Sequence, residues 1–252
     1  MRPRTPILLA VAAAAALGLG GVAQAIVGGV ADANAHPYVA DVTSVDAAGH
    51  RTICSGFAVR ERVVVTAAHC FAPGTDVSVS FDPQVGPAST WHTGAVTPDP
   101  DWHGLVGNGR PGLDTPDLAV VTLDDDAALS RYATLADPHS VDLLPNDTRV
   151  DTVGYGVSEF TNGGGTVMPS GERDRIGGTL SPSRDRIGAD YLKVNGDGSS
   201  GTCAGDSGGP VLLAGTDTVI GIQSFVIGGR CNGVAYSLRA DLDAVHAFVE
   251  EQ

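Results

Sequence analysis

Basic residues are scarce in this chain, which has 15 lysines and arginines against 29 aspartates and glutamates and a formal charge of −14 at pH 7. Nucleic acids and anionic membranes are bound largely through basic patches, so a surface this acidic argues against both as partners. The charge balance excludes these two classes of partner but does not indicate a fold.

The chain also lacks a long apolar run after its first 25 residues. Ile7–Leu19 is almost wholly apolar, follows Arg2 and Arg4, and precedes the small-x-small cleavage site Ala23-Gln24-Ala25. This combination predicts a secretory signal peptide over 1–25, with an uncleaved anchor as the alternative. We expect a secreted, extracellular protein without membrane contact after cleavage. Loss of the two arginines would move its formal charge from −14 to −16.

Cysteines are few, and none has the C-x-x-C spacing of zinc sites. The four are Cys54, Cys70, Cys203 and Cys231. In the oxidising surroundings of a secreted protein they are expected to form two disulfides. Three pairings are possible, and proximity in the sequence favours Cys54–Cys70 with Cys203–Cys231. A zinc site is the competing interpretation, and His69 is the histidine that adjoins a cysteine.

No calcium-binding loop of the D-x-[DN]-x-[DN]-G type occurs in the sequence. The acidic run Asp124–Asp126 lacks that spacing, which favours a solvated turn over a metal cage. We therefore expect neither a metal ion nor another cofactor.

Helical periodicity is nearly absent after residue 25. The apolar stretches are short, rich in valine and separated by turn residues, a pattern typical of an all-β sandwich or barrel. They are Val39–Val45, Val63–Ala68, Val77–Phe81, Leu118–Leu123, Val150–Val153, Val211–Leu213, Val219–Phe225 and Val234–Leu238. The exception is 241–251, where Leu242, Val245, Phe248 and Val249 share one face and predict a C-terminal helix.

Glycine and proline mark two further segments as loops, Asn108–Pro116 and Thr161–Gly171. The sequence Arg-Asp-Arg-Ile-Gly occurs twice, at 173–177 and 184–188. A single repetition of five residues does not indicate a repeat architecture. We interpret the two copies as surface turns that could form a hairpin.

A candidate nucleophile lies in Thr202–Leu213, which reads Thr-Cys-Ala-Gly-Asp-Ser-Gly-Gly-Pro-Val-Leu-Leu. Ser207 stands among glycines, after an acid and before an apolar run. A serine hydroxyl alone is a weak nucleophile and needs a base, a group that orients the base, and donors for an oxyanion. A polar residue in a tight turn is the alternative interpretation.

A candidate base and a candidate orienting acid occur earlier in the chain. His69 lies in Thr66-Ala-Ala-His-Cys70, directly after a valine-rich strand and beside a cysteine that would hold its backbone rigid. Asp117 opens the apolar run Leu118–Leu123 and could accept a hydrogen bond from an imidazole. Taken alone, each is more often an ordinary structural residue.

Together these segments resemble the chymotrypsin/trypsin-like serine protease family. Thr-Ala-Ala-His-Cys, Asp-Leu-Ala-Val and Gly-Asp-Ser-Gly-Gly-Pro occur in the family's order, after Ile26-Val-Gly-Gly29, which resembles the mature N-terminus. The resemblance spans 26–252 and implies an all-β fold of two packed six-stranded antiparallel β-barrels with a C-terminal α-helix. It implies an N-terminal barrel at 26–138 and a C-terminal barrel at 139–252, joined in one peptidase domain.

The resemblance implies a serine endopeptidase with a catalytic triad. Ser207 would attack the scissile carbonyl, His69 would take and return its proton, and Asp117 would orient the imidazole. The backbone N–H groups of Gly205 and Ser207 would form the oxyanion hole. Ser224 matches the family serine that supports the triad aspartate.

Further expectations about assembly and activation follow from the resemblance. It selects the disulfides Cys54–Cys70 and Cys203–Cys231. It implies an ion pair between Asp206 and the N-terminal amine of Ile26 once residues 1–25 are removed. It also implies protein or peptide substrates, proteinaceous inhibitors and a monomeric enzyme.

The resemblance assigns the specificity pocket to Gly201, Thr202, Ser224, Phe225, Val226 and Gly233. Gly201 stands where trypsin-like members that cut after Arg or Lys have an aspartate. Val226 resembles the elastase wall, while Gly233 would leave an open position deeper in the pocket. This implies cleavage after Ala, Val or Leu, with preferences of about 1–3 kcal/mol per methylene.

Two other functions fit parts of the sequence. Gly205–Gly209 also satisfies the G-x-S-x-G pattern of α/β-hydrolase esterases, with Asp217 or Asp241 and His246 as partners. The missing βαβ alternation argues against an esterase. A non-catalytic homologue that acts as a binding module is the second alternative, although such proteins usually lack a triad member.

Overall fold

The structure, a computed structural model, describes residues 26–107, 109–157, 171–180, 190–195, 201–227, 231 and 233–252. The predicted signal peptide, most of the loop at 161–171 and the second Arg-Asp-Arg-Ile-Gly copy lie outside the described residues.

The first barrel closes through six antiparallel strands in the order β2-β3-β4-β7-β6-β5. Their bounds are β2 Val39–Val45, β3 Arg51–Arg60, β4 Val63–Thr66, β5 Asp76–Ser80, β6 His92–Pro98 and β7 Ala119–Leu123. Valine fills many of the buried positions, because a β-branched side chain packs well on a pleated sheet.

The second barrel also has six antiparallel strands, and it closes because β9 pairs with both β10 and β12. Its strands are β9 Arg149–Gly154, β10 Asp174–Leu180, β11 Tyr191–Asn195, β12 Pro210–Leu213, β13 Thr218–Ile227 and β14 Val234–Arg239. Two short strands extend the sheet: β1 (Val30–Ala31) pairs with β10, and β8 (Thr134–Leu135) runs parallel to β13. The predicted fold class is confirmed.

An α-helix, α1 (Asp243–Glu250), lies close to the C-terminus, as its periodicity predicts. It buries Val245, Phe248 and Val249 in a core cluster that also contains residues of both barrels. Among the described residues, the structure has no helix long and apolar enough to cross a membrane.

Two disulfides are formed, Cys54–Cys70 and Cys203–Cys231. Cys54, His69 and Cys70 lie close enough together to share a metal ion, but the two sulfurs are bonded to each other. A disulfide offers no thiolate, so this group does not form the zinc site considered above.

The interpretation of residues 173–177 as a surface turn is wrong. Asp174 begins β10, and Arg173 and Asp174 are buried. The guanidinium of Arg173 donates to Asp32 at 3.2 Å and to the carbonyl of Val39 at 2.9 Å, which compensates its charge inside the protein. These partners are more than 130 positions away, so the local sequence gives no sign of them.

Candidate active site

His69 is held by its own backbone surroundings. It lies in a single 3-10 turn, Ala68–Cys70, one residue after β4, and the disulfide from Cys70 ties that turn to β3. The side chain of His69 remains 19% exposed, so the ring can reach both the protein interior and a substrate.

Asp117 precedes β7 and is completely buried. Its Oδ1 accepts the backbone N–H of His69 at 2.9 Å, and its Oδ2 lies 2.7 Å from His69 Nδ1. A carboxylate can only accept, so Nδ1 carries the proton and Nε2 keeps its lone pair. The hydroxyl of Ser224 also donates to Asp117 Oδ2, so three donors compensate the buried charge.

Tyr191 is a site residue that sequence reasoning missed. Its hydroxyl accepts the backbone N–H of Asp117 at 3.3 Å and donates to the carbonyl of Thr115 at 3.0 Å. Burial, reinforced by the charge of Asp117, raises the pKa of Tyr191, so the phenol stays protonated. A tyrosine opening a strand 74 positions away has no local signal that could have revealed this contact.

Ser207 lies in the tight turn between Cys203 and β12. Its carbonyl accepts the N–H of Ser55 at 2.7 Å, which joins the turn to the first barrel. Gly208 follows with φ +83°, and a Cβ there would lie 2.2 Å from Thr66 Oγ1. Only glycine fits this close approach, so the turn seats Ser207 against the strands that carry His69.

The Ser207 hydroxyl and His69 open into one pocket of about 260 Å³. The hydroxyl donates to the carbonyl of Ser224 at 3.3 Å, and no described contact joins it to His69. The structure therefore brings the predicted nucleophile and base to one pocket without a hydrogen bond between them.

Gly205 also needs a glycine conformation. Its φ is +98°, and a Cβ there would lie 2.7 Å from the Cα of Gly156. The Gly205 carbonyl accepts the Ser55 hydroxyl at 2.8 Å, and the Ala204 carbonyl, in the same peptide group as the Gly205 N–H, accepts the N–H of Val157 at 2.9 Å. In the described part of the chain, no acceptor takes the backbone N–H of Gly205 or Ser207. Among the described residues, neither N–H is therefore used in a hydrogen bond within the protein.

The pocket beside Ser207 contains part of the predicted specificity set. Its lining residues include Cys203, Ala204, Gln223, Ser224, Phe225, Val226 and Cys231 from the C-terminal half of the chain, and Leu105, Gly109, Arg110 and Pro111 from the segment before β7. Gly201, Thr202 and Gly233 do not line it and instead surround a separate cavity of about 20 Å³.

Gln223 lines the first cavity and bonds to a residue of the second, and sequence reasoning missed it. It is 2% exposed, its Nε2 donates to Thr202 Oγ1 at 2.9 Å, and its Oε1 accepts from Ser237 Oγ at 3.1 Å. The side chain thus links the lining of the first cavity to Thr202 in the lining of the second. A glutamine inside the apolar run of β13 is the signal that could have identified it, because a buried amide needs partners.

Asp206 and Ile26 are both buried, but no hydrogen bond or ion pair joins them in the part of the chain that the structure describes. Asp206 accepts the backbone N–H groups of Gly156 at 2.9 Å and Cys203 at 2.7 Å. The backbone nitrogen of Ile26 instead lies 3.4 Å from Oδ2 of Asp174, a residue that sequence reasoning did not assign to the site.

The alternative esterase residues lie elsewhere. Asp217 accepts the hydroxyl of Tyr38, Asp241 pairs with Arg239, and His246 lies 2.9 Å from the carbonyl of Ala136. None of the three lines the pocket of Ser207. This geometry argues against the α/β-hydrolase alternative.

Comparisons with known proteins agree with this fold. A family model described as "Trypsin" matches residues 25–247. Chymotrypsin-like elastase family member 1 of Bos taurus is 29% identical over 196 residues, 71% of this chain and 70% of that protein. Granzyme E of Mus musculus is 49% identical over 55 residues, which cover 21% of this chain and 22% of that protein. A solved structure titled HL collagenase covers 90% of this chain and 97% of its own, with a TM-score of 0.73 and 16% identity.

Proposed function

The chain belongs to the trypsin family and is a serine endopeptidase with the chymotrypsin fold, and on this premise we propose that Ser207, His69 and Asp117 are its catalytic triad. The observation that carries the proposal is the buried Asp117 carboxylate, 2.7 Å from His69 Nδ1, behind a ring that shares its pocket with Ser207. This geometry supports an imidazole whose Nε2 is ready to accept a proton.

In the proposed reaction, substrate binding turns the Ser207 hydroxyl from the Ser224 carbonyl to His69 Nε2. The oxygen attacks the scissile carbonyl carbon as its proton passes to Nε2, and Asp117 stabilises the resulting imidazolium. His69 then protonates the leaving amine as the C–N bond breaks, which leaves an acyl group on Ser207. Water, deprotonated by His69, hydrolyses the acyl-enzyme and restores the serine.

The free N–H groups of Gly205 and Ser207 would bind the oxyanion of each tetrahedral intermediate. The donors are fixed before the reaction, because the carbonyls of the same two peptide groups are hydrogen-bonded: Ala204 accepts the N–H of Val157 at 2.9 Å, and Asp206 accepts that of Gly209 at 3.0 Å. Preorganised donors of this kind are each worth about 3–4 kcal/mol of transition-state stabilisation.

We assign the preference to substrates with a small or medium apolar residue before the cleaved bond. Phe225 and Val226 supply an apolar wall, and no carboxylate lies among the described lining residues to bind a basic side chain. Gln223 closes the pocket towards Gly201 and Gly233, which supports Ala and Val ahead of longer side chains.

Kinetics on peptide anilides test the proposal. Substrates with Ala, Val, Leu, Phe or Arg before the anilide are compared for the wild type, Ser207→Ala and the exposed-serine control Ser130→Ala. We expect turnover of the Ala, Val and Leu substrates that disappears only in Ser207→Ala. Turnover retained by Ser207→Ala would refute the triad, whereas cleavage after Arg would refute the pocket assignment alone.

We further propose that the protein is secreted, is a monomer and acts on proteins or peptides. We also propose that removal of residues 1–25 creates its active N-terminus at Ile26. The small-x-small site Ala23-Gln24-Ala25 and the burial of Ile26 support this proposal. Mass spectrometry of the exported protein measures its first residue. Active protein beginning upstream, for example at Gly21, would overturn the activation scheme.

A further inference from the structure

We propose that two buried carboxylates, Asp174 and Asp206, together hold the freed N-terminal ammonium of Ile26, and that Asp174 is a positioning residue for the oxyanion hole. This inference rests on the proposed activation at Ile26 and adds a second acid to it. Asp174 would act on the reaction only through the ammonium and Asp206.

The placement of the Ile26 nitrogen supports the proposal. It lies 3.4 Å from Asp174 Oδ2, and both residues are completely buried. The segment that follows Ile26 is anchored at two points: Val27 bridges to Gly201, and Ala31 in β1 is the register partner of Asp174 in β10. The amine released from Ile26 is therefore already in hydrogen-bonding range of Asp174 without any rearrangement of the strands.

The two carboxylates converge across the β9–β10 pair. Asp174 is the register partner of Gly154 in β9. A Cβ on Gly154 would lie 2.3 Å from Asp206 Oδ1, so the Asp206 carboxylate packs directly on the backbone opposite Asp174. Glycine at 154 leaves the space that this arrangement requires.

The mutual repulsion of the two buried acids favours the binding of a cation beside them. Arg173 pairs with Asp32 at 3.2 Å, and Arg175 Nη1 lies 3.6 Å from Asp151 Oδ1, so both flanking arginines have other carboxylates. Burial, with the charge of Asp174 adding to it, raises the pKa of Asp206 to about 8 while the Ile26 nitrogen is a neutral amide. Two buried like charges disfavour each other's ionisation.

Hydrolysis of the bond before Ile26 consumes one water and gives a carboxylate on residue 25 and an α-amine on Ile26. The amine takes up a proton, and its three N–H donors then serve both acids. Ionised Asp206 keeps its bonds to the N–H groups of Gly156 and Cys203, which fixes the turn carrying Gly205 and Ser207. Because two carboxylates attract the ammonium, its pKa is higher than one alone would make it.

The test is the alkaline limb of activity in enzyme shown to begin at Ile26. We compare kcat/KM on the Ala anilide from pH 6 to 11 for the wild type, Asp174→Asn and the control Asp41→Asn, another buried acid that lies in the first barrel. Loss of one carboxylate should lower the alkaline midpoint by about one pH unit, a tenfold change in proton affinity. The control should leave it unchanged. Coinciding midpoints for wild type and Asp174→Asn would overturn the proposal.

A second readout does not depend on activity. The rate at which cyanate carbamylates the Ile26 amine, followed by mass spectrometry against pH, reports the pKa of that amine directly. We expect a lower value in Asp174→Asn than in the wild type, and Asp174→Ser replaces this variant if the amide does not fold. Equal amine pKa values would overturn the role of Asp174. An ordinary amine pKa in active wild-type enzyme would instead overturn the proposed activation itself.

Discussion

At the scale of single residues, Asp117 connects several parts of the candidate site through hydrogen bonds. Its carboxylate accepts hydrogen bonds from the His69 ring, the His69 backbone N–H and the Ser224 hydroxyl, and its own N–H donates to the Tyr191 hydroxyl. The aspartate and histidine are recognisable in the sequence because they lie within short motifs. Tyr191 and Gln223 are not recognisable in this way, because their roles come from contacts between distant strands.

Replacing Asp117 by asparagine should leave the fold intact and lower kcat by about 10⁴-fold, the loss typical of a serine protease whose histidine is held in the wrong tautomer. The asparagine NH₂ would donate where the carboxylate accepts, so Nε2 rather than Nδ1 would carry the proton. Steady-state kinetics against the exposed control Asp101→Asn measure the effect. A loss smaller than tenfold would mean that Asp117 does not orient the base.

Replacing Gln223 by valine should widen the pocket and make its wall apolar. We expect the ratio of kcat/KM for Leu over Ala substrates to rise about tenfold, the effect of roughly one methylene of fit. The hydroxyls of Thr202 and Ser237 would lose their partner, at a cost of about 1–3 kcal/mol in the free energy of unfolding. An unchanged Leu-to-Ala ratio would remove Gln223 from the specificity pocket.

At the scale of secondary-structure elements, the predictable parts are the valine-rich strands and the C-terminal helix, whose hydrophobic periodicity is local. Strands β3, β6, β10 and β11 were not predicted. β6 and β10 contain glycines, and polar residues interrupt the apolar pattern of all four. These strands are fixed by pairing with neighbours on both sides, which a local pattern does not record.

The entry of the chain into β10 depends on Arg173, which is 1% exposed and joins the second barrel to the first. It donates to Asp32 and to the carbonyls of Val39 and Phe81. Replacing it with methionine would leave the Asp32 carboxylate without its cation. We expect a loss of about 3–5 kcal/mol in the free energy of unfolding, measured in urea against the exposed control Arg149→Met. A loss below 1 kcal/mol would show that the bridge contributes little.

The ion pair between Arg173 and Asp32 should also make the free energy of unfolding depend on pH. Burial alone would raise the pKa of Asp32, but hydrogen bonds from His36 and the charge of Arg173 hold it below its usual range. A lowered folded-state pKa stabilises the protein above the unfolded pKa, and this stabilisation is lost as pH falls through the folded value. The wild type should therefore lose more stability than Arg173→Met on acidification from pH 6 to 3. Parallel acid profiles for the two proteins would contradict this.

Asp41, in β2, should have the opposite effect on the pH dependence of stability from Asp32. Burial raises the pKa of Asp41 to about 6, against a hydrogen bond from Thr43 and the charge of Arg51. The folded state then binds the proton more tightly than the unfolded chain, so stability is lost as pH rises from about 4 to 6. At pH 7.5, the free energy of unfolding of Asp41→Asn, measured in urea, should exceed that of the wild type by up to about 3 kcal/mol. At pH 4 the two proteins should have nearly the same free energy of unfolding. A wild type that is more stable than Asp41→Asn at pH 7.5 would contradict this.

At the scale of the whole molecule, the site lies where the two barrels meet. His69 and Asp117 adjoin strands of the first barrel, while Ser207 and Ser224 belong to the second. Ser55 joins the two, because its hydroxyl accepts the N–H of Tyr155 at 2.9 Å and donates to the carbonyl of Gly205 at 2.8 Å. The order of motifs along the chain predicts the meeting of the three triad candidates, but the contacts that fix their distances come from the packing of the barrels.

The central claim is that Ser207 is the nucleophile and His69 its base. The most direct measurement is labelling of purified enzyme beginning at Ile26 with a fluorophosphonate, followed by mass spectrometry of the modified peptide. We expect one label per chain, located on Ser207, and a labelling rate that falls by several orders of magnitude in His69→Ala. A label on another serine, or equal labelling in His69→Ala, would contradict the account.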